Sequence, residues 1–122
     1  MAFFGRTPPT RTLYVIDSDD GDLIFKKKLD DLDQAMSPDI GPDGRVTFAA
    51  HLNGVRDIWI YDPTTDELLN VTQDEVYDYA PVWSPDGRRV VFTSHVLGHK
   101  KLFLIDLSRP QQRVQLTFGQ SN

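Results

Sequence analysis

Apolar runs of four to six residues recur along this chain, set apart by clusters of Pro, Gly, Asp and Ser, and no segment carries a helical period over a useful length. The runs are rich in β-branched and aromatic residues, so the pattern predicts short strands joined by tight turns. It is also a repeat. Leu13-Tyr14-Val15-Ile16-Asp17 returns as Ile58-Trp59-Ile60-Tyr61-Asp62 at an offset of 45, and as Leu102-Phe103-Leu104-Ile105-Asp106 at a further 44. Gly41-Pro42-Asp43-Gly44-Arg45 returns as Ser84-Pro85-Asp86-Gly87-Arg88 at an offset of 43. Between these signatures Pro38 matches Pro81, Ile40 matches Trp83, Phe48 matches Phe92, His51 matches His95 and Gly54 matches Gly98.

A period near 44 residues is that of a supersecondary unit which buries its faces by stacking on its neighbours. Four strands are expected per unit. In the last they fall around Pro81 to Ser84 (A), Arg89 to Ser94 (B), Lys101 to Asp106 (C) and Val114 to Phe118 (D). In the preceding unit they fall near Pro38 to Gly41, Arg45 to Ala50, Asp57 to Asp62 and Leu68 to Thr72. Leu102-Phe103-Leu104-Ile105 is apolar at both alternating positions, so the C strand must be covered on both faces, as in a propeller blade and unlike a one-sided sandwich strand. In Pro-Asp-Gly, proline presets φ at the first central turn position, Asp tolerates the second, and Gly can take the left-handed conformation that leads into the next strand.

The segment Ala80 to Ser94, with the Gly-containing turn after it, Lys101 to Asp106 and Gln115-Leu116-Thr117-Phe118, resembles the TolB-type propeller blade, a WD-repeat-like family. The resemblance covers Pro38 to the C-terminus, and Thr12 to about Leu29 as a half blade. It departs from the pattern in the earlier blade, where Ile40 replaces Trp and Gly41 replaces Ser. The resemblance implies an all-β chain of four-stranded antiparallel propeller blades, a partial or oligomer-completed propeller. Such propellers commonly have six blades and occur in periplasmic TolB and in the gating domains of prolyl-oligopeptidase-like peptidases. The expected division is 1–11 as an N-terminal extension, 12–29 as a half blade of strands C and D, 30–74 as one blade and 75–122 as another. Residues 1–11 read as too short and too rich in Pro and Gly for strands A and B, which a closed ring would take from its far C-terminus.

Composition narrows the function further. The 122 residues are 39% hydrophobic and 25% charged, typical of a globular domain, and no run spans a bilayer. A net charge of −5 argues against nucleic-acid binding, since the one basic run, Lys26-Lys27-Lys28, is followed at once by acids. Without cysteine there is no disulfide or thiolate chemistry. The start Met1 to Arg6 lacks the apolar stretch of a secretory signal, which leaves the compartment open between the cytoplasm and the periplasm that the resemblance suggests.

Candidate chemistry is sparse. Asp17 to Asp22 clusters carboxylates, but at spacings unlike a calcium loop and with no counterpart in the other repeats, so it reads as a solvated turn. His51 and His95 are placed in B-to-C loops with His99 nearby; no third ligand at metal spacing accompanies them. Asn70-Val71-Thr72 is a glycosylation sequon lying in a strand. Nucleophile elbow, zinc-helix, phosphate-loop and dinucleotide motifs are all absent from the sequence, so neither catalysis nor a cofactor is expected. Loops on a rigid scaffold are the usual place for binding, and the B-to-C and D-to-A connections share one end. The candidate partner-binding residues are therefore His51, Asn53, Arg56, Asp74, Glu75, Tyr77, Asp78, Tyr79, His95 and His99. The expected function is a non-catalytic scaffold for a protein or peptide, with self-association or the remainder of a propeller covering its ends, and without nucleic acid or membrane insertion. Two alternatives stand beside it: the propeller of a prolyl-oligopeptidase-like serine peptidase whose catalytic domain lies elsewhere, and a shortened or designed propeller without a ligand.

Overall fold

Two Pro-Asp-Gly turns organise the fold. Gly44 N–H donates to Gly41 O and Gly87 N–H to Ser84 O, closing each turn, and both glycines adopt the positive φ the sequence pattern calls for. Each turn hands the chain from an inner strand to its antiparallel partner. A computed structural model describes residues 1–5, 12–17, 19–29, 32–72, 77–96, 98–109 and 112–116.

Eleven strands result among these residues: β1 (Ala2–Phe4), β2 (Thr12–Ile16), β3 (Leu23–Lys28), β4 (Asp33–Ile40), β5 (Val46–Leu52), β6 (Val55–Asp62), β7 (Glu67–Asn70), β8 (Asp78–Trp83), β9 (Arg89–Val96), β10 (His99–Asp106) and β11 (Arg113–Gln115). They form antiparallel sheets in the orders β1-β2-β3, β4-β5-β6-β7 and β11-β10-β9-β8. The last two are the expected four-stranded blades. The three sheets stack in chain order and do not close.

The recurring residues now have physical roles. Pro38 and Pro81 each follow a residue with positive φ, Ser37 at 56° and Ala80 at 54°, and both lie where the register of the innermost strand slips. A missing amide donor is tolerated at such a bulge on an edge strand. The Asp that ends each C strand folds back on the following turn. Asp62 Oδ1 accepts from Thr64 N–H at 2.9 Å and from its hydroxyl at 2.6 Å, and Asp106 Oδ1 does the same with Ser108 at 2.9 and 2.7 Å. Asp17 Oδ1 likewise accepts from Asp19 N–H, and Asp20 Oδ1 from Asp22 N–H, both at 2.8 Å. The acidic segment is thus a pair of Asx turns.

Alternation places two apolar layers between the sheets. Leu13, Val15, Val46, Phe48, Ala50, Trp59 and Tyr61 fill the first interface, and Ala49, Ile58, Ile60, Trp83, Val90, Phe92, Phe103 and Ile105 fill the second. Strand β6 contributes to both, as a doubly covered C strand must.

Of the expected N-terminal extension, residues 1–5 are described, and they carry a strand of the first sheet. Ala2–Phe4 pairs with Leu13–Val15, and the Phe3 ring stacks on Tyr14 at 5.2 Å, much as Phe92 stacks on Phe103 at 5.9 Å. The first sheet therefore holds counterparts of strands B, C and D. Three residues suffice for strand B here because an aromatic cross-strand pair fixes the register. Strand β7 ends at Asn70, two residues before the expected end of strand D. Thr72 lies beyond β7, where its hydroxyl accepts from Ile58 N–H and donates to Asp57 Oδ1.

The repeat also exposes what the stack leaves uncovered. Phe3 is 39% exposed, whereas its counterparts Phe48 and Phe92 are 0% and 1% exposed. At the other end Leu102 and Leu116 are 39% and 46% exposed, against 0% and 5% for their counterparts Ile58 and Val71. Each outward sheet face thus carries apolar residues whose counterparts are buried one repeat along.

Candidate functional site

The B-to-C hairpins and D-to-A connections share one end of the sheets, and most of the expected binding residues collect there. His51 and His95 lie in strands β5 and β9, not in loops, which corrects their expected placement. The physical reason is the turn. Asn53 and Gly54 have φ of 54° and 81°, the pair of positive values that a two-residue type I′ hairpin needs, so β5 and β6 run uninterrupted to Leu52 and Val55. The Asn-Gly dipeptide between two apolar runs was the available signal for this. Gly98 repeats it in the next blade at φ 81°, and His99 opens β10 opposite Val96.

Arg56 Nε donates to His51 Nε2 at 2.9 Å, across the register pair of β5 and β6. Tyr77, from the next blade, closes over both. Its ring centroid is 5.8 Å from that of His51, and the Arg56 guanidinium lies 5.6 Å from it. One blade on, Tyr79 Oη and His95 Nε2 are joined at 2.9 Å with the rings edge to face, and His95 N–H donates to Tyr77 O at 3.2 Å. The two tyrosines thereby tie two successive blades into one polar and aromatic surface, on which Tyr77 is half exposed and Asn53 exposed.

Asp78 belongs beneath that surface. It is fully buried and faces Ser94, which in turn faces the buried Lys101, a polar row across β8, β9 and β10. Sequence placed Asp78 with its loop neighbours, but it is the first residue of β8 and points to the interior. Asp74 and Glu75 lie outside the described residues. The sequon is structural: Asn70 Nδ2 donates to Asp57 Oδ2 at 3.1 Å, and Thr72 is buried against the same carboxylate. Among the described residues no group of three His, Asp or Glu side chains could hold a metal ion.

The opposite end carries the turns and most of the polar ties between sheets. Arg45 reaches across to Gly87 O at 2.8 Å, and Lys27 pairs with Asp66 at 2.8 Å. Asp66 is held below the usual carboxylate range by Lys27 and then by the Tyr61 hydroxyl. Burial, reinforced by the hydrogen bond to Asp66, pushes the Tyr61 phenol up to about 12. Asp86 is lowered by the Ser84 hydroxyl and the Arg88 amide. These contacts stabilise the turns at this end of the sheets.

The fold has close counterparts. The crystal structure of TolB from Acinetobacter baumannii superposes on 99% of this chain with a TM-score of 0.76 at 27% identity, using 30% of its own length. These are TolB-like propeller blades. A protein TolB homolog from Chlorobium luteolum is 30% identical over 79 residues, 65% of this chain and 18% of that protein. A TolB-type structure from Agrobacterium tumefaciens matches the fold with a TM-score of 0.78 at 19% identity, over 97% of this chain and 41% of its own. No protein-family model matches the chain. The chain thus spans less than half the length of each of these three proteins.

Proposed function

We propose that this chain is a non-catalytic TolB-like propeller segment that binds a protein or peptide through the end formed by the B-to-C hairpins and D-to-A connections. The observation that carries this reading is the Tyr77, His51 and Arg56 cluster. It places an exposed aromatic ring, a guanidinium and an imidazole together across a blade junction, next to the Tyr79 and His95 contact of the following blade. Tyr and Arg are the side chains most often found at the centre of protein interfaces, because they combine large contact area with few rotors or planar hydrogen bonding. The TolB likeness supports a protein partner in general. It also supports a non-enzymatic role.

A peptide library displayed on phage and panned against the whole chain tests this. Selected peptides are expected to shift the amide resonances of His51, Arg56, Tyr77, Tyr79 and His95, and to lose about tenfold or more in affinity on Tyr77→Ala, as central interface aromatics do. Peptides that shift only residues at the turn end, or that bind Tyr77→Ala unchanged, would contradict the proposal.

A further inference from the structure

Arg56 is held differently from its counterpart one blade on. Arg56 and Lys100 occupy the same position of successive hairpins, each paired in register with a histidine, His51 and His95. Lys100 is exposed, and His95 Nε2 is joined to Tyr79 Oη at 2.9 Å. Arg56 is half-buried, and its Nε donates to His51 Nε2 at 2.9 Å. The Tyr77 ring then closes the arrangement, 5.6 Å from the guanidinium carbon and 5.8 Å from the His51 ring.

These contacts orient a guanidinium and leave one edge of it open. A guanidinium presents five N–H groups in a rigid plane, and its Nη1–Nη2 edge spaces two of them to match the two oxygens of a carboxylate. Beyond the bond to His51 and the Tyr77 ring, the Arg56 side chain makes no hydrogen bond or ion pair with another described residue. Tyr77 is half exposed and Asn53 is exposed, so solvent reaches the surroundings of the fork. A long, free side chain loses rotamer freedom when it binds, and at Arg56 the fold has already taken much of that loss.

We propose that Arg56 is a carboxylate clamp, and that the peptide bound at this end presents the side chain of a glutamate or aspartate to it; this rests on the Tyr77 end being the binding end. The carboxylate accepts two parallel hydrogen bonds, from Nη1 and from Nη2, while the exposed part of the Tyr77 ring carries the neighbouring residue. His51 is a positioning residue: it accepts from Nε and sets the plane of the fork without touching the carboxylate. Lysine does not replace arginine here, since an ammonium is a point charge with no planar fork to orient. A chain-terminal carboxylate suits the site less, because nests of backbone N–H groups capture those, and the β5–β6 hairpin is paired up to Leu52 and Val55.

The probes are N-acetyl-glutamate N-methylamide, its glutamine isostere, and N-acetyl-alanine with a free carboxylate, each titrated into the isotope-labelled full chain. The Glu probe is expected to shift the Arg56 Nε–Hε and Tyr77 amide resonances saturably, and to bind about tenfold or more tighter than the other two, the worth of hydrogen bonds to a charged group. Arg56→Lys is expected to abolish the preference for Glu over Gln. His51→Ala is expected to reduce it severalfold, and His51→Gln, which keeps an acceptor, to reduce it less. Lys100→Gln is expected to leave it unchanged. Circular dichroism checks that each variant is folded, and the comparison of Glu with Gln on the unaltered chain needs no variant. No preference for the Glu probe, tighter binding of the alanine probe, a preference that survives Arg56→Lys, or an equal loss on Lys100→Gln would each overturn the proposal. Phage-selected peptides that bind at the Tyr77 end and keep their affinity when every Asp and Glu becomes Asn or Gln would overturn it too, and would leave the Tyr77 end standing as the binding end. Peptides that map only to the turn end contradict the binding end itself, and the Glu probe then still decides what Arg56 holds.

Discussion

Replacing each tryptophan with phenylalanine separates two indoles that sequence alone would treat alike. Both are 7% exposed, and both lie in an interblade layer. Trp83 uses its polar edge, donating to Asp39 O at 3.0 Å beneath the Arg45 guanidinium. Trp59 Nε1 is buried and has no hydrogen-bond partner. At Trp83 the smaller ring leaves a void costing about 1 kcal/mol. The lost hydrogen bond adds about 1 kcal/mol, and the weakened cation–π contact adds roughly 0.5 to 1 kcal/mol. Trp83→Phe should therefore destabilise by about 2.5 to 3 kcal/mol. At Trp59 the same void cost is offset by removing an unpaired buried N–H, worth about 1 to 3 kcal/mol. Trp59→Phe should be neutral, or stabilising by up to about 2 kcal/mol. Phe103, the counterpart in the next blade, shows that a phenyl ring suits the site. Urea denaturation followed by circular dichroism at one fixed protein concentration measures the difference. Equal losses at the two positions would refute the reasoning, because the Asp39 contact and the unpaired Trp59 N–H could then carry no weight.

Three further outcomes are expected. Gly41→Ala pushes a methyl to 3.0 Å from the Trp83 indole, and should cost roughly 1 to 3 kcal/mol as overpacking does, read from the same urea curves. Because the folded-state pKa of Tyr61 is raised to about 12, its contribution to stability is complete below the unfolded phenol value near 10 and is lost as pH climbs toward 12; Tyr61→Phe should flatten that alkaline decline, and an unchanged decline would show that Tyr61 is not its source. Zinc or calcium should leave the melting temperature unchanged, and a chelator-reversible rise would reveal a native-state site at His51 and His95 or at Asp17 to Asp22.

Strand identity in the two full blades and turn chemistry were legible because the repeat states each of them twice. A residue that alternates in one unit and matches in the next leaves little freedom in assigning faces, as Phe48 with Phe92 and Ile60 with Leu104 illustrate. The β1 strand was not legible, since Ala2-Phe3-Phe4 matches its counterparts at Phe3 alone and precedes a Pro-rich stretch that reads as a breaker. Its pairing depends on Tyr14, a contact invisible until the strands are aligned. The site was half legible. Matching His51 to His95 located the right end, but the Asn53-Gly54 turn that carries both strands past the histidines passed unread. Asp78 was misplaced because a carboxylate next to two tyrosines looks like a surface loop until its pairing with Ser94 turns it inward. The Arg56 and Tyr77 contact joins two blades, and separation in sequence hides such pairs.

Two full blades and a three-stranded sheet form an open stack whose two end faces carry apolar residues with buried counterparts in the neighbouring repeat. Size-exclusion chromatography with light scattering on the isolated chain tests it most directly. Contiguous apolar faces such as that around Leu102, Val114 and Leu116 are rare on soluble monomers, and repeat arrays need about three units before stacking outweighs chain entropy. A mass above the 13.9 kDa of one chain, rising with concentration, is expected, or else a chain that orders only beside further blades. A cooperatively folding monomer of 13.9 kDa at micromolar concentration would contradict it.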